Sequence, residues 1–130
     1  MMRKFLYILL LLLSGLVRGQ DYQSRIYHAY LQKQMGTWKE VMEEMESVYR
    51  ENPDMELLYD LIEAEYGYTA YCISVKRRRE AREVLDRAMD HINLFMELEV
   101  DNPRIHSLHG AFFGFRFFLD QELVSISDFF

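Results

Sequence analysis

The chain has 130 residues, of which 50% are hydrophobic and 15% aromatic, and its 15 basic and 21 acidic side chains give a net charge of −6. This composition is unlike that of disordered chains, and a lone cysteine, Cys72, excludes an intramolecular disulfide. With only two prolines and six glycines, long stretches run uninterrupted, so we predict one all-α domain.

The first nineteen residues have the pattern of a signal peptide. Arg3 and Lys4 precede an apolar run from Phe5 to Leu13, and Val17-Arg18-Gly19 supplies small or modest side chains where a signal peptidase reads. The apolar stretch is shorter than the roughly 20 residues that span a bilayer. We therefore predict cleavage before Gln20, export to the periplasm or beyond, and no stable membrane span after cleavage. An uncleaved anchor is the alternative.

Removal of residues 1–19 takes away three basic residues and no acid. The 15 basic and 21 acidic side chains then become 12 and 21, and the net charge becomes −9. Such a surface repels nucleic acid, so we expect no nucleic-acid partner.

Helical periodicity begins directly after Gln20. A first helix is predicted to end at Gly36, and a second to begin at Thr37, which with Glu40 makes a capping box. One face of the second helix carries an apolar stripe formed by Trp38, Val41, Met42, Met45, Val48 and Tyr49.

Two Asn-Pro pairs predict further helix starts, because asparagine suits the cap and proline the first helical position. Asn52-Pro53 opens a third helix to about Ser74, which is apolar on more than one side. A basic turn, Lys76–Arg79, leads into an amphipathic fourth helix. Asn102-Pro103 opens a fifth helix, which we expect to end near Leu119.

The chain also contains an internal repeat. Ala64–Tyr68 and Ala111–Phe115 both have an aromatic-Gly-aromatic centre and lie 47 residues apart. The repeat resembles the tetratricopeptide repeat family, in its exported variants with longer helices. The resemblance rests on residues that match the spacing of the family motif: Ala29, Trp38, Val41, Met45, Val48 and Pro53, then Ala81, Leu85 and Ala88, with Gly110 or Gly114 in a third unit.

This resemblance implies an α-solenoid of antiparallel helix hairpins with about five helices, over residues 20–120, followed by a tail at 121–130. Members of the family are mostly scaffolds whose first helices line a concave binding surface. The resemblance therefore implies an exported, non-catalytic scaffold that binds a protein or peptide in the bacterial envelope and needs no cofactor.

The third helix supplies the candidate binding residues. Tyr59, Glu63 and Tyr66 share one helix face, and tyrosines with an apolar ring and a polar tip are typical interface anchors. We predict that these three residues line an exposed inner groove. The alternative is that the tyrosines form the core of the hairpin.

The fifth helix is unusually rich in phenylalanine. An aromatic surface of this kind is typical of an interface. We therefore predict that the helix contacts a partner or another copy of the chain through Phe112, Phe113, Phe115, Phe117 and Phe118. A structural role, or a truncated fragment of a longer repeat protein without its own ligand, is the alternative.

No residue pattern predicts catalysis or metal binding. His106 and His109 lie three residues apart, but two histidines are too few for a metal site. His91 is isolated in the sequence. An enzyme would need a nucleophile and a histidine with an orienting acid, and the sequence indicates neither. We assign no catalytic residue, metal ligand or cofactor.

Overall fold

The computed structural model describes the backbone of residues 21–127 and the side chains of residues 21–121. This part of the chain forms five α-helices and no strand, which confirms the all-α prediction and is consistent with a helical repeat. The predicted signal peptide, residues 1–19, lies outside the described residues. The helices are α1 over 21–31, α2 Met35–Glu51, α3 Met55–Ser74, α4 Arg78–Leu98 and α5 Pro103–Ser127.

The chain divides into two compact units, Met1–Ser47 and Val48–Phe130, with the boundary inside α2. In the first unit, the Arg25 guanidinium lies 2.7 Å from the Glu44 carboxylate, which joins α1 to α2. The ring of Tyr30 meets Trp38 edge-on at 6.2 Å. The second unit contains α3, α4 and α5.

The helices α1 and α3 end in the same turn. Lys33 and Lys76 both have left-handed backbones, with φ of 57° and 63°. The amide of the next residue donates to the carbonyl five positions earlier: Gln34 to Ala29 at 2.8 Å and Arg77 to Cys72 at 2.8 Å. In each turn the lysine amide also donates to the carbonyl three positions earlier: Lys33 to Tyr30 at 3.2 Å and Lys76 to Ile73 at 3.1 Å. The two bonds together are the Schellman ending of a helix. The prediction that Gly36 ends the first helix is wrong, because Lys33 takes the left-handed position and Gly36 is already in α2.

The starts of α3 and α5 test the two Asn-Pro predictions. Asn102 caps α5, since its Oδ1 accepts from the Arg104 amide at 3.0 Å and Pro103 is the first helical residue. Asn52 does not cap α3. Asp54 takes that position, and its carboxylate accepts from the Glu56 amide at 3.1 Å. A carboxylate at a helix start also interacts favourably with the helix dipole.

Burial in the second unit follows the predicted periodicity. The buried residues of α4 recur at steps of three and four, as predicted for an amphipathic helix: Ala81, Val84, Leu85, Ala88, Met89, Ile92 and Phe95. The helix α3 is buried over a wider arc, as its apolar composition predicted. The backbone of α5 continues past the predicted end at Leu119 to Ser127, because this segment has no glycine or proline to stop it.

Candidate functional site

Helix α5 is positioned on α4 by apolar contacts and by Arg82. Its buried side chains, Ile105, Phe112 and Leu119, are seven residues apart, so two helical turns separate them on one face. The guanidinium of Arg82 donates to the Leu119 carbonyl at 3.0 Å and to the Asp120 carboxylate at 3.2 Å. These contacts fix which residues of α5 face α4.

Helix α5 also contacts α3, and it does so through both predicted tyrosines. The guanidinium carbon of Arg104 lies 3.9 Å from the centre of the Tyr59 ring, a cation–π contact. The ring of Tyr66 stacks on Phe115 at 5.0 Å and meets Phe112 edge-on at 5.7 Å. The two tyrosines therefore help to hold α3 and α5 together.

The structure separates the three predicted groove residues by exposure. Tyr59 is 9% exposed, because Arg104 and Phe95 cover its ring, so the expectation that it lies open in a groove is wrong. Glu63 is exposed, and Tyr66 is 36% exposed with one side of its ring available. The accessible part of the predicted groove is therefore Glu63 and Tyr66, with Tyr59 beneath Arg104.

Three carboxylates form an acidic strip on α3, defined here as Glu56, Asp60 and Glu63. Their spacing of four and three residues places them on one helix face. Burial, and then the neighbouring charges of Glu63 and Glu56, raise the pKa of Asp60 to about 6. Arg104 opposes this repulsion, but its guanidinium lies over Tyr59 and 3.9 Å from Glu56. The strip thus carries more negative charge than the one nearby guanidinium balances.

Asp60→Asn is expected to stabilise the fold near neutral pH. The pKa of Asp60 is higher in the fold, at about 6, than its ordinary value of 3.8, so its stabilising contribution is complete below pH 3.8 and is lost as the pH rises through 6. The amide avoids this loss, so the free energy of unfolding at pH 7 should rise by roughly 1 kcal/mol after allowance for solvent screening. Urea denaturation at pH 7 and at pH 4 measures this change in the free energy of unfolding.

At pH 4 the Asp60→Asn substitution should have little effect, because the carboxyl is already protonated in the folded chain. Asp90→Asn, which changes an exposed carboxylate on α4, serves as the matched control and should change stability little at either pH. An equal effect of Asp60→Asn at both values of pH would contradict a raised pKa of Asp60 in the folded chain.

The phenylalanines of α5 divide into buried and exposed groups. Phe112 is fully buried and Phe115 partly so, which means that the predicted interface does not include the ring of Phe112. Phe113, Phe117 and Phe118 are 48%, 65% and 45% exposed. Together with the exposed glycines Gly110 and Gly114 they form what we call the outer face of α5.

Two part-buried polar pairs join α3 to α4. The Nδ1 of His91 lies 2.8 Å from Oε1 of Glu65, and the Tyr68 hydroxyl donates to the Glu80 carboxylate. Burial, and next the bond to Glu80, raise the pKa of Tyr68. The sequence analysis treated His91 as isolated and assigned it no acidic partner. Their contact across 26 residues was missed.

His91 therefore has an orienting acid, contrary to the expectation from sequence. The pair does not form an accessible catalytic site, since the Glu65 and His91 side chains are only 3% and 13% exposed. Within the described residues, no group of three histidine, cysteine, aspartate or glutamate side chains is placed to hold a metal ion. In the same part of the chain, no helix combines the length and apolar character needed to cross a bilayer.

Comparison with known proteins identifies no relative: no protein-family model, no curated protein and no solved structure matches the chain.

Proposed function

We propose that this chain is an exported, non-catalytic binding module of the bacterial envelope, related in architecture to tetratricopeptide repeats, which binds a basic segment of a protein or peptide. The proposed binding surface consists of the acidic strip on α3 and the exposed edge of Tyr66. The proposal rests on the acidic strip, because its three carboxylates lie on one helix face and have only one guanidinium nearby.

The chemistry of this surface favours a partner with lysine or arginine and one apolar side chain. Burial and then the charges of Glu63 and Glu56 raise the pKa of Asp60, and a cation beside Asp60 and Glu63 relieves the charge repulsion. Tyr66 has its other side packed on Phe115, so it offers a ring that is held in place before binding. A rigid aromatic anchor of this kind loses little conformational entropy when a partner binds.

The repeat architecture is supported by the turns rather than by the motif residues. The same Schellman turn, with a left-handed lysine, ends both α1 and α3, and α2 and α4 each begin two residues after it. Export is supported by the sequence pattern of residues 1–19. An exported location and a helical-repeat architecture together make a protein or peptide the expected ligand. The outer face of α5 provides a second surface for a partner or another copy.

Selection of binders from a random peptide library tests the binding proposal. The selected peptides should be enriched in lysine and arginine, with one aromatic or aliphatic residue. Glu63→Lys should weaken their binding at least tenfold, because it reverses a charge in the acidic strip. Affinity should also rise as the pH rises through 6, since the ionised form of Asp60 binds the cation. Isothermal calorimetry measures both effects.

Glu83→Lys provides the matched control. It makes the same charge change at an exposed position on α4, where Glu83 lies 3.7 Å from Arg79 at the surface. It should leave peptide affinity within about twofold of the unchanged chain. Peptides without a basic bias, or an equal loss of affinity with both substitutions, would show that the acidic strip does not bind them. In that case the purely structural role becomes the better account.

A further inference from the structure

The guanidinium of Arg104 lies on the surface of α3. Its carbon is 3.9 Å from the centre of the Tyr59 ring, and its Nη1 is 3.9 Å from Oε1 of Glu56. The Tyr59 ring also contacts Phe95 of α4 at 6.2 Å between ring centres, which holds the ring in place. Burial, and next the Glu63 carboxylate, raise the pKa of Tyr59, whereas Arg104 lowers it. The Tyr59 side chain therefore lies between a guanidinium and two carboxylates.

We propose that the Tyr59 ring and the flanking carboxylates of Glu56 and Glu63 form a subsite for an arginine side chain. Arg104 occupies this arginine subsite in the free chain, and the arginine of a bound partner replaces it. The inference rests on the proposed function, because it names the side chain that the acidic strip selects and the contact that controls access to it.

The position of the Arg104 side chain is set by α3 and not by its own helix. Arg104 is the second residue of α5, where the positive end of the helix dipole disfavours a cation. The guanidinium nevertheless lies over Tyr59, within reach of the acidic strip. An aromatic face and carboxylates attract a guanidinium by cation–π and charge interactions, and the same chemistry attracts the arginine of a partner.

Arg104 can leave the subsite without disturbing the fold. Its side chain is 54% exposed, and an exposed ion pair such as the one with Glu56 contributes little to stability. Helix α5 is held against its neighbours by the buried Ile105 and by the stacking of Tyr66 on Phe115. Displacement of the guanidinium therefore requires rotation of one side chain and no movement of a helix.

A second position for the Arg104 side chain exists beside the loop between α4 and α5. A surface cavity of about 380 Å³ is lined there by Arg104 and by the loop, which includes the carboxylates Glu99 and Asp101. A guanidinium that leaves Tyr59 thus moves from one pair of carboxylates towards another. Because its charge is balanced in both positions, a partner that brings its own arginine can displace it at little cost.

The cation–π contact favours arginine over lysine in the partner. A planar guanidinium covers an aromatic ring and pairs with a carboxylate at the same time, whereas the ammonium of lysine is a compact and strongly hydrated charge. The proposal therefore narrows the basic segment to one that contains an arginine.

The test begins with Arg104→Ala, which opens the subsite and should create a binding site for N-acetylarginine amide. Titration followed by NMR of the Tyr59 ring should show binding at concentrations on the order of 10 mM. The unchanged chain should bind the amide about fivefold more weakly, because its attached arginine competes at a high effective concentration. N-acetyllysine amide should bind the variant about threefold more weakly than the arginine compound. Far-UV circular dichroism checks that the variant folds.

Arg116→Ala is the matched control. It removes the same type of residue from α5, where Arg116 is 44% exposed and lies 3.6 Å from Asp86, and it should create no site for the amide. Arg104→Lys separates occupancy from charge, because it keeps the positive charge and loses the planar group. It should bind the amide about twofold more tightly than the unchanged chain. An affinity equal to that of the unchanged chain would overturn the proposal, since Arg104 would then act through its charge alone.

The peptides selected from the library test the replacement itself. Those that contain arginine should bind Arg104→Ala about fivefold more tightly than the unchanged chain, because no side chain of the protein competes with them. Their binding to the unchanged chain should also shift the NMR resonances of the Arg104 side chain, as the guanidinium leaves the Tyr59 ring.

The arginine subsite and the peptide-binding function fail in different ways. No binding of the amide to Arg104→Ala up to about 0.1 M would overturn the subsite, whatever the peptides do. Equal binding by Arg104→Ala and the unchanged chain would overturn it too, as would peptides that bind and leave the Arg104 resonances in place. Binding of the amide as expected, with no basic peptide bound by any variant, would contradict the peptide-binding function and leave the subsite supported.

Discussion

Replacement of Glu65 by leucine is expected to lower the free energy of unfolding by about 3 to 5 kcal/mol. The substitution removes a carboxylate that lies 2.8 Å from His91, and the imidazole is left in a site where its side chain is only 13% exposed. A buried polar group without its partner loses its interaction with water and gains nothing in return. Guanidinium denaturation followed by circular dichroism measures the change.

The double substitution of Glu65 and His91 by leucine is the informative comparison. Removal of both polar groups leaves an apolar contact between α3 and α4, so most of the lost stability should return. His91→Leu alone should be at least as damaging as Glu65→Leu, because it removes the imidazole that lies 2.8 Å from a carboxylate whose side chain is only 3% exposed. Additive losses in the double variant would mean that the two side chains stabilise the fold through separate contacts.

Phe112→Ala is expected to lower the free energy of unfolding by about 3 to 5 kcal/mol. The ring is fully buried and contacts Tyr66 at 5.7 Å and Phe115 at 6.1 Å between ring centres. Truncation therefore leaves a cavity where α5 meets α3. Urea denaturation at a protein concentration low enough to keep the chain monomeric measures this loss without a contribution from association.

Phe117→Ala is the matched substitution on the same helix. Phe117 is 65% exposed, so its loss should change the stability of the monomer by no more than about 0.5 kcal/mol. If the outer face binds a second copy, the same substitution should weaken the dimer. Equal destabilisation by both substitutions would mean that the packing of α5 differs from the one described.

The sequence predicted the number, type and approximate extent of the helices well, because apolar periodicity and the Asn102-Pro103 start signal are local. It was less accurate at helix ends where two signals compete. Gly36 was predicted to end α1, since glycine adopts a left-handed backbone without strain. The structure places that backbone on Lys33, which sequence patterns disfavour.

The candidate surface was predictable in part. A shared helix face for Tyr59, Glu63 and Tyr66 follows from their spacing, but their exposure depends on where α5 lies. The cover over Tyr59 comes from Arg104, 45 residues further along the chain. The contact between Glu65 and His91 has the same origin, since it depends on how α4 is aligned against α3. No local pattern encodes such an alignment.

The lysine turns bear on how a chain of this kind lengthens. A left-handed lysine costs about 1 kcal/mol, and a positive charge at the carboxyl end of a helix offsets part of that cost. The turn at Lys33 and the turn at Lys76 each contain this combination within a few residues. A duplicated hairpin segment would therefore carry its own internal bend with it.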